Sequence, residues 1–215
     1  MKENIKNIEF DYFIDVGSYI GYYTLYFSGY YNIKNIISIE PNNQSYKNLI
    51  KNISLNKLKN VITYNVACSE KDGFAKIWYS DTKKMGGSAL LDDTDFEYKK
   101  YNLNPKLNND HLKKHYNKTY KDYKKSKKNF IYQDTLTQKL DNIISVTNKT
   151  LLIKIDVERH ELSVLKGSIN ILNKNKIFLQ VEIFPEYFNK INSFIIKNKF
   201  KLIKNIGWDY YYKNF

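Results

Sequence analysis

A chain of 215 residues with 42% hydrophobic and 27% charged residues carries enough apolar surface for one packed core, which excludes global disorder and gives no reason for a second domain. Its single cysteine, Cys68, excludes an internal disulfide framework and fits a reducing compartment. A net charge of +13 points toward an acidic partner, but Lys, Asn, Ile and Tyr, all encoded by A/T-rich codons, dominate the chain and Arg159 is its one arginine, so base composition accounts for part of the lysine excess.

In chain order, Tyr12-Phe13-Ile14-Asp15-Val16 is an apolar run closed by Gly17, and the aromatic stretch after Gly21 continues through Phe27 with helical character. Ile36-Ile37-Ser38-Ile39 is a second buried strand ended by Glu40-Pro41, followed by Tyr46, Leu49, Ile50 and Ile53 at helical spacing. Val61 to Ala67 reads as a third strand, with Asp72-Gly73 turning into a hairpin partner over Phe74 to Trp78. Leu151 to Ile155 is the next strand, with Leu162, Leu165, Ile169 and Leu172 on one face of a following helix. Ile177 to Phe184 is another strand, Phe188, Ile191 and Ile195 lie on a helix, and Phe200 to Lys204 and Trp208 to Tyr212 flank Gly207 as an antiparallel hairpin.

Strands alternating with amphipathic helices predict an α/β fold with a doubly wound, mostly parallel sheet and a ligand at the carboxyl ends of its strands. The expected organisation is one domain over residues 1–215 with a basic insertion at 92–130. Within that insertion, Lys99 to Lys128 holds eleven lysines against Asp110 and Asp122, interleaved with Tyr98, Tyr101, Tyr116, Tyr120 and Tyr123. The His111 and His115 pair has helical metal-ligand spacing, but Lys113, Lys114 and Lys118 around it would repel a cation, so it reads as solvated helix and no metal site is assigned. An N-terminus without an apolar leader core, and no run of 18 uncharged apolar residues, lead to the expectation of a soluble cytoplasmic protein.

Two of the eight glycines fall in Asp15-Val16-Gly17-Ser18-Tyr19-Ile20-Gly21, where a strand meets a helix. Glycines there allow a sharp turn and let a ligand approach main-chain N–H groups, although a tight βα turn without a ligand needs the same residues. Glu40 at the end of the next strand favours a nucleotide cofactor, because a carboxylate at that position can accept both hydroxyls of an adenosine ribose.

These blocks resemble the FkbM-type S-adenosylmethionine-dependent methyltransferases. The resemblance is carried by Ile14 to Tyr22, Ile39-Glu40-Pro41-Asn42, Val66-Ala67-Cys68-Ser69 with Gly73, and Ile153-Lys154-Ile155-Asp156-Val157-Glu158-Arg159-His160-Glu161, and it covers Phe10 to about Gly167. It implies a class I, Rossmann-like methyltransferase sheet of seven strands, with the terminal hairpin supplying the antiparallel strand. It also implies that Asp15, Gly17, Ser18, Gly21, Glu40, Pro41, Ala67 and Cys68 form the cofactor site, with Gly17 and Gly21 at the methionine moiety, Glu40 at the ribose and Ala67-Cys68 near the adenine. Arg159 stands where the family usually has glycine.

By the same resemblance Asp156 lies at the reaction centre. Methyl transfer to a hydroxyl needs alignment and a base, and Asp156, Glu158, His160 and Glu182 are the candidates. Paired acids could equally hold a divalent cation on a sugar diol. The expected activity is O-methylation of a sugar or glycan precursor, with a small-molecule or glycan acceptor as partner, an anionic one if the basic insertion takes part in recognition. The alternatives are an NAD-dependent oxidoreductase, which the Gly17 loop and Glu40 also suit although the third glycine of that fingerprint is missing, and nucleic-acid binding or modification through the basic insertion, which the lack of an Asn/Asp-Pro-Pro-Tyr element after the Leu151 strand disfavours.

Overall fold

The computed structural model describes residues 5, 8–31, 33–80, 88–90 and 130–215. The main sheet has seven strands: β1 (Tyr12–Val16), β2 (Asn35–Ile39), β3 (Val61–Tyr64), β8 (Thr150–Ile155), β9 (Lys176–Glu182), β10 (Lys201–Ile206) and β11 (Asp209–Lys213). Their order across the sheet is β3-β2-β1-β8-β9-β11-β10. All neighbours are parallel except the pairs that β11 makes with β9 and β10. The chain starts in the middle at β1, runs outward to β3 and returns to β8, so the ends of β1 and β8 form the switch point where this architecture opens a crevice.

Side-chain alternation along each strand feeds two cores. Ile14, Ile37, Ile153 and Leu179 pack on one face with the helices Leu140–Ile143 (α3), Glu161–Lys166 (α4), Ile169–Lys174 (α5) and Phe188–Lys197 (α6). Phe13, Ile36, Leu152, Phe178 and Tyr211 pack on the other against Phe27 of helix α1 (Tyr22–Tyr30). Helix α2 (Asn43–Leu55) is started by Asn42, whose side chain accepts the backbone N–H groups of Gln44 and Ser45 at 2.9 Å, a cap that contributes about 1 kcal/mol.

Three sequence expectations change. The third strand stops at Tyr64, and Ala67–Cys68 (β4) leaves to join a separate four-stranded sheet of order β4-β7-β5-β6, made with Gly73–Ser80 (β5), Ser88–Leu90 (β6) and Phe130–Gln138 (β7). The hairpin partner of β5 is therefore not β3: β5 pairs along its whole length with β7, from Gly73 opposite Thr137 to Ser80 opposite Phe130. That pairing is non-local, and its distant strand gives no signal near the Asp72-Gly73 turn. The single helix expected across Leu162 to Leu172 is two short ones, divided at Gly167 and Ser168. A Cβ on Gly167 would lie 2.0 Å from the Ser69 carbonyl oxygen, so close approach of the β4 end fixes the break. The terminal hairpin around Gly207 stands as expected, with Gly207 at φ +61°. The basic segment Lys99 to Lys128, its tyrosines and His111 and His115 lie outside the described residues.

Candidate active site at the carboxyl ends of the central strands

A cavity of about 250 Å³ opens at the carboxyl ends of β1, β2 and β8. Gly17 and Tyr19 from the loop after β1, Glu40 and Pro41 after β2, Ala67 and Cys68 of β4, and Asp156, Glu158 and His160 after β8 all line it. Val66 and Ile77 add an apolar wall. Asp15, Ser18, Gly21 and Glu182 are not among its lining residues.

Ser18 and Gly21 shape the loop itself. The Ser18 hydroxyl donates 2.7 Å to the Asp15 carbonyl and shapes the loop. Gly21, at φ +91°, starts α1, and a Cβ there would meet Leu49 Cδ1 at 2.6 Å. Gly17 is held at φ +80° with the Asp156 carbonyl oxygen 1.8 Å from where a Cβ would stand. The glycine loop is thus shaped first by two close crossings of protein against protein, one of which also forms the cavity floor.

Glu40 is 6% exposed, and both its oxygens are held by main chain: Tyr19 N–H donates to Oε2 and Asn42 N–H to Oε1, each at 2.8 Å. Burial pushes its carboxyl up to about 7 against the lowering effect of those two bonds. Each oxygen keeps further acceptor capacity on the cavity side. A rigid, buried, bidentate acceptor beside an apolar slot fits the ribose diol and adenine of a nucleoside cofactor. Cys68 belongs to that slot as a wall: it is buried, and burial pushes its thiol up to about 12, which leaves no thiolate for nucleophilic chemistry near neutral pH.

The acids form a second group on the other side of Asp156. The Asp156 and Glu182 carboxyls are hydrogen-bonded to each other, and burial together with the charges of Asp156 and Glu158 pushes Glu182 up to about 8. Burial, then Asp156, also raises Glu158. Asp156 is 37% exposed and accepts a 3.0 Å bond from the buried ammonium of Lys154. His160 begins α4 with Nε2 3.0 Å from the Ser69 hydroxyl, which ties that helix to the end of β4. Among the described residues no group of three or more His, Cys, Asp or Glu side chains is arranged to hold a metal ion.

Glu161 and Lys154 are the site residues that reasoning from residue type passed over. Glu158 and Arg159 both have left-handed backbone, at φ +53° and +81°. Glu161 Oε1 accepts from Arg159 N–H at 3.0 Å and Val157 N–H at 3.3 Å and so closes this turn from beneath. The Arg159 guanidinium lies over the Phe184 ring at 4.4 Å, a contact glycine could not make. The sequence signal for Lys154 was a lone lysine inside an otherwise apolar strand, a residue that is buried only when paired.

The sequence from residue 15 to residue 202 matches the Methyltransferase FkbM domain family. Among solved structures, the FkbM methyltransferase of Methylobacillus flagellatus KT is similar, with a TM-score of 0.60 and 14% identity over 97% of this chain. This chain spans 45% of that protein's length. The precorrin-6y C5,15-methyltransferase of Geobacter metallireducens GS-15 is less similar, with a TM-score of 0.48, 9% identity, and coverage of 98% of this chain and 82% of the other. No curated relative matches the sequence. Among the described residues no helix is long and apolar enough to cross a membrane. The family match decides between the two cofactor readings left open by the glycine loop and Glu40: the chain belongs to the FkbM family of S-adenosylmethionine-dependent methyltransferases, on the class I Rossmann-like fold.

Proposed function

We propose that the chain transfers a methyl group to a hydroxyl of a sugar or glycan precursor, with Asp156 as the general base and with the cofactor held between Gly17 and Glu40. The observation that supports this reading best is the hydrogen-bonded Asp156–Glu182 pair at the ends of two adjacent parallel strands, beside a cavity whose far wall carries Glu40.

When bound, S-adenosylmethionine supplies an electrophilic methyl group on a sulfonium, and displacement from it is in-line. Glu40 orients the nucleoside by accepting ribose hydroxyl hydrogens at a position preset by Tyr19 and Asn42 N–H groups. Asp156, fixed by Lys154 on one oxygen, accepts the hydrogen bond of the acceptor hydroxyl and takes its proton. Glu182, with its raised carboxyl, keeps a proton near neutral pH and limits the negative charge beside Asp156. The half-exposed Trp208 ring, packed 4.8 Å from Phe184, offers a flat apolar surface of the kind that sugar rings stack on.

The test is a screen of free sugars and nucleotide-linked sugars with S-adenosylmethionine, read as formation of S-adenosylhomocysteine, on wild type and Asp156→Asn. With an accepted sugar the variant loses about 10²- to 10⁴-fold in turnover, the usual worth of a general base. Equal turnover by both proteins would move the base away from Asp156, and acceptance of RNA in place of every sugar would overturn the acceptor class.

A further inference from the structure

Beneath the two carboxyls lies a buried polar row that crosses four adjacent strands in register. Ser38 on β2 pairs with Asp15 on β1, Asp15 with Lys154 on β8, and Lys154 with Gln180 on β9. All four are 3% exposed or less. They lie on the face whose preceding tier is apolar, at Ile36, Phe13, Leu152 and Phe178. Two residues further along β8 and β9 come Asp156 and Glu182. Helix α1 closes the row from above with Thr24, whose hydroxyl is 2.8 Å from Asp15 Oδ2 and 2.7 Å from the Ser38 hydroxyl.

Lys154 is the one cation in this row. Its ammonium lies 3.0 Å from Asp156 Oδ2, 3.9 Å from Asp15 Oδ1 and 4.9 Å from the centre of the Tyr23 ring. A fully buried lysine between two carboxylates and an aromatic face has no room to swing, so the Asp156 oxygen it grips cannot either. Burying an ion pair is a poor way to gain stability, since the desolvation cost offsets the attraction, so a stability role does not account for this one.

We propose that Lys154 is the positioning residue of the reaction: it fixes the Asp156 carboxylate in one orientation as an anion and thereby assigns the proton of the Asp156–Glu182 pair to Glu182. The assignment deepens the general-base reading above and rests on it for its catalytic meaning. The pair is faced by Lys154 and Asp15 from the strands below, by Glu158 and Glu161 from the turn and helix after β8, by Tyr23 from α1 and by Asp209 from β11. Of these groups only Lys154 is a cation bonded to Asp156. Glu158, Glu161 and Asp209 are acids, and none of them distinguishes one carboxyl of the pair by a direct positive contact. Burial opposes the charge on Lys154, but Asp15 and Asp156 outweigh it and hold the ammonium above its ordinary value.

Lys154→Met alone would leave Asp15 buried without its counter-charge, so the informative protein is Asp15→Asn with Lys154→Met, in which the row is neutral and the Thr24 contact is kept. The readout is a carbon-13 NMR titration of aspartate and glutamate carboxyls, assigned by Asp156→Asn and Glu182→Gln, together with calorimetric binding of S-adenosylhomocysteine. In the double variant the midpoint of the pair rises by about one pH unit, a tenfold tighter hold on the shared proton, and the Asp156 resonance takes part in that titration. S-adenosylhomocysteine affinity stays within about twofold, because Lys154 is not at the cavity wall. Asp15→Asn by itself, which removes an anion, moves the midpoint down or leaves it. A midpoint in the double variant within 0.3 unit of wild type overturns the proposal. Full turnover by Asp156→Asn would instead defeat the general-base reading while the titration still reported whether Lys154 governs the pair.

Discussion

Gly17 and Asp156 touch across the centre of the sheet: the space a Cβ would need at residue 17 is already occupied by the Asp156 carbonyl oxygen, 1.8 Å away. The loop that starts the cofactor cavity and the turn that carries the reacting carboxyl are therefore one packed unit. Gly17→Ala meets both a left-handed φ and a backbone collision, so it costs about 2–4 kcal/mol of stability. Urea unfolding checks this, and a midpoint equal to wild type would mean that the two loops are not held together.

Arg159 gives a sharper comparison, since two substitutions at one position separate strain from stacking. Its φ of +81° favours glycine, while its guanidinium over Phe184 favours arginine. Arg159→Gly exchanges one for the other and stays within about 1 kcal/mol of wild type. Arg159→Ala keeps the strain and loses the stack, and is less stable than Arg159→Gly by about 1 kcal/mol. Thermal or urea unfolding of the pair decides it, and equal stability of the two variants would show that the backbone there is not strained.

The buried acids make stability fall as pH rises. Glu40 and Glu161, both pushed up to about 7 chiefly by burial, hold a proton more tightly in the fold than in the unfolded chain. The stabilisation from that proton is complete below the unfolded value near 4.5 and is lost as pH climbs through 7. Unfolding free energy is expected to drop between pH 5 and pH 8 by on the order of 2 kcal/mol from each group. Glu161→Gln, which keeps an acceptor for Val157 and Arg159 N–H, flattens that slope. A slope unchanged by the substitution would place the pH dependence elsewhere.

How much of this was legible in the sequence depends on how local the cause is. Asp15 to Gly21, Glu40 and the Asp156 to His160 run declare themselves because each sits where a strand ends, and strand ends are visible as apolar runs meeting glycine, proline or acid. The terminal hairpin was equally visible through Gly207. The second sheet was not, because β7 pairs with β5 at a sequence separation of 50 residues or more and nothing near either strand signals the other. The pairing of Asp15 with Lys154 was hidden for a related reason: the two are far apart in the chain, and only the strand register brings them side by side. The break at Gly167 was hidden because the Ser69 carbonyl that forces it comes from a distant loop.

The basic segment makes a prediction that rests on its charge alone. A local excess of nine positive charges between Lys99 and Lys128 would concentrate an anionic acceptor and would be screened by salt. Replacing Lys113, Lys114, Lys124 and Lys125 by glutamine is expected to raise KM for a phosphorylated or nucleotide-linked sugar several-fold at low salt, with the difference shrinking at 0.5 M salt and cofactor affinity unchanged. An unaltered KM at every salt concentration would leave the segment without a part in acceptor recognition.

The central claim is that the cavity between Gly17 and Glu40 is the nucleoside site, and calorimetric titration of S-adenosylhomocysteine into wild type and Glu40→Ala tests it most directly. Two hydroxyl bonds to a charged acceptor contribute roughly 1.5–3 kcal/mol each, so wild type should bind and the variant should lose at least about tenfold in affinity while remaining folded by circular dichroism. Equal binding by the two proteins, or binding of NAD in place of S-adenosylhomocysteine, would contradict it.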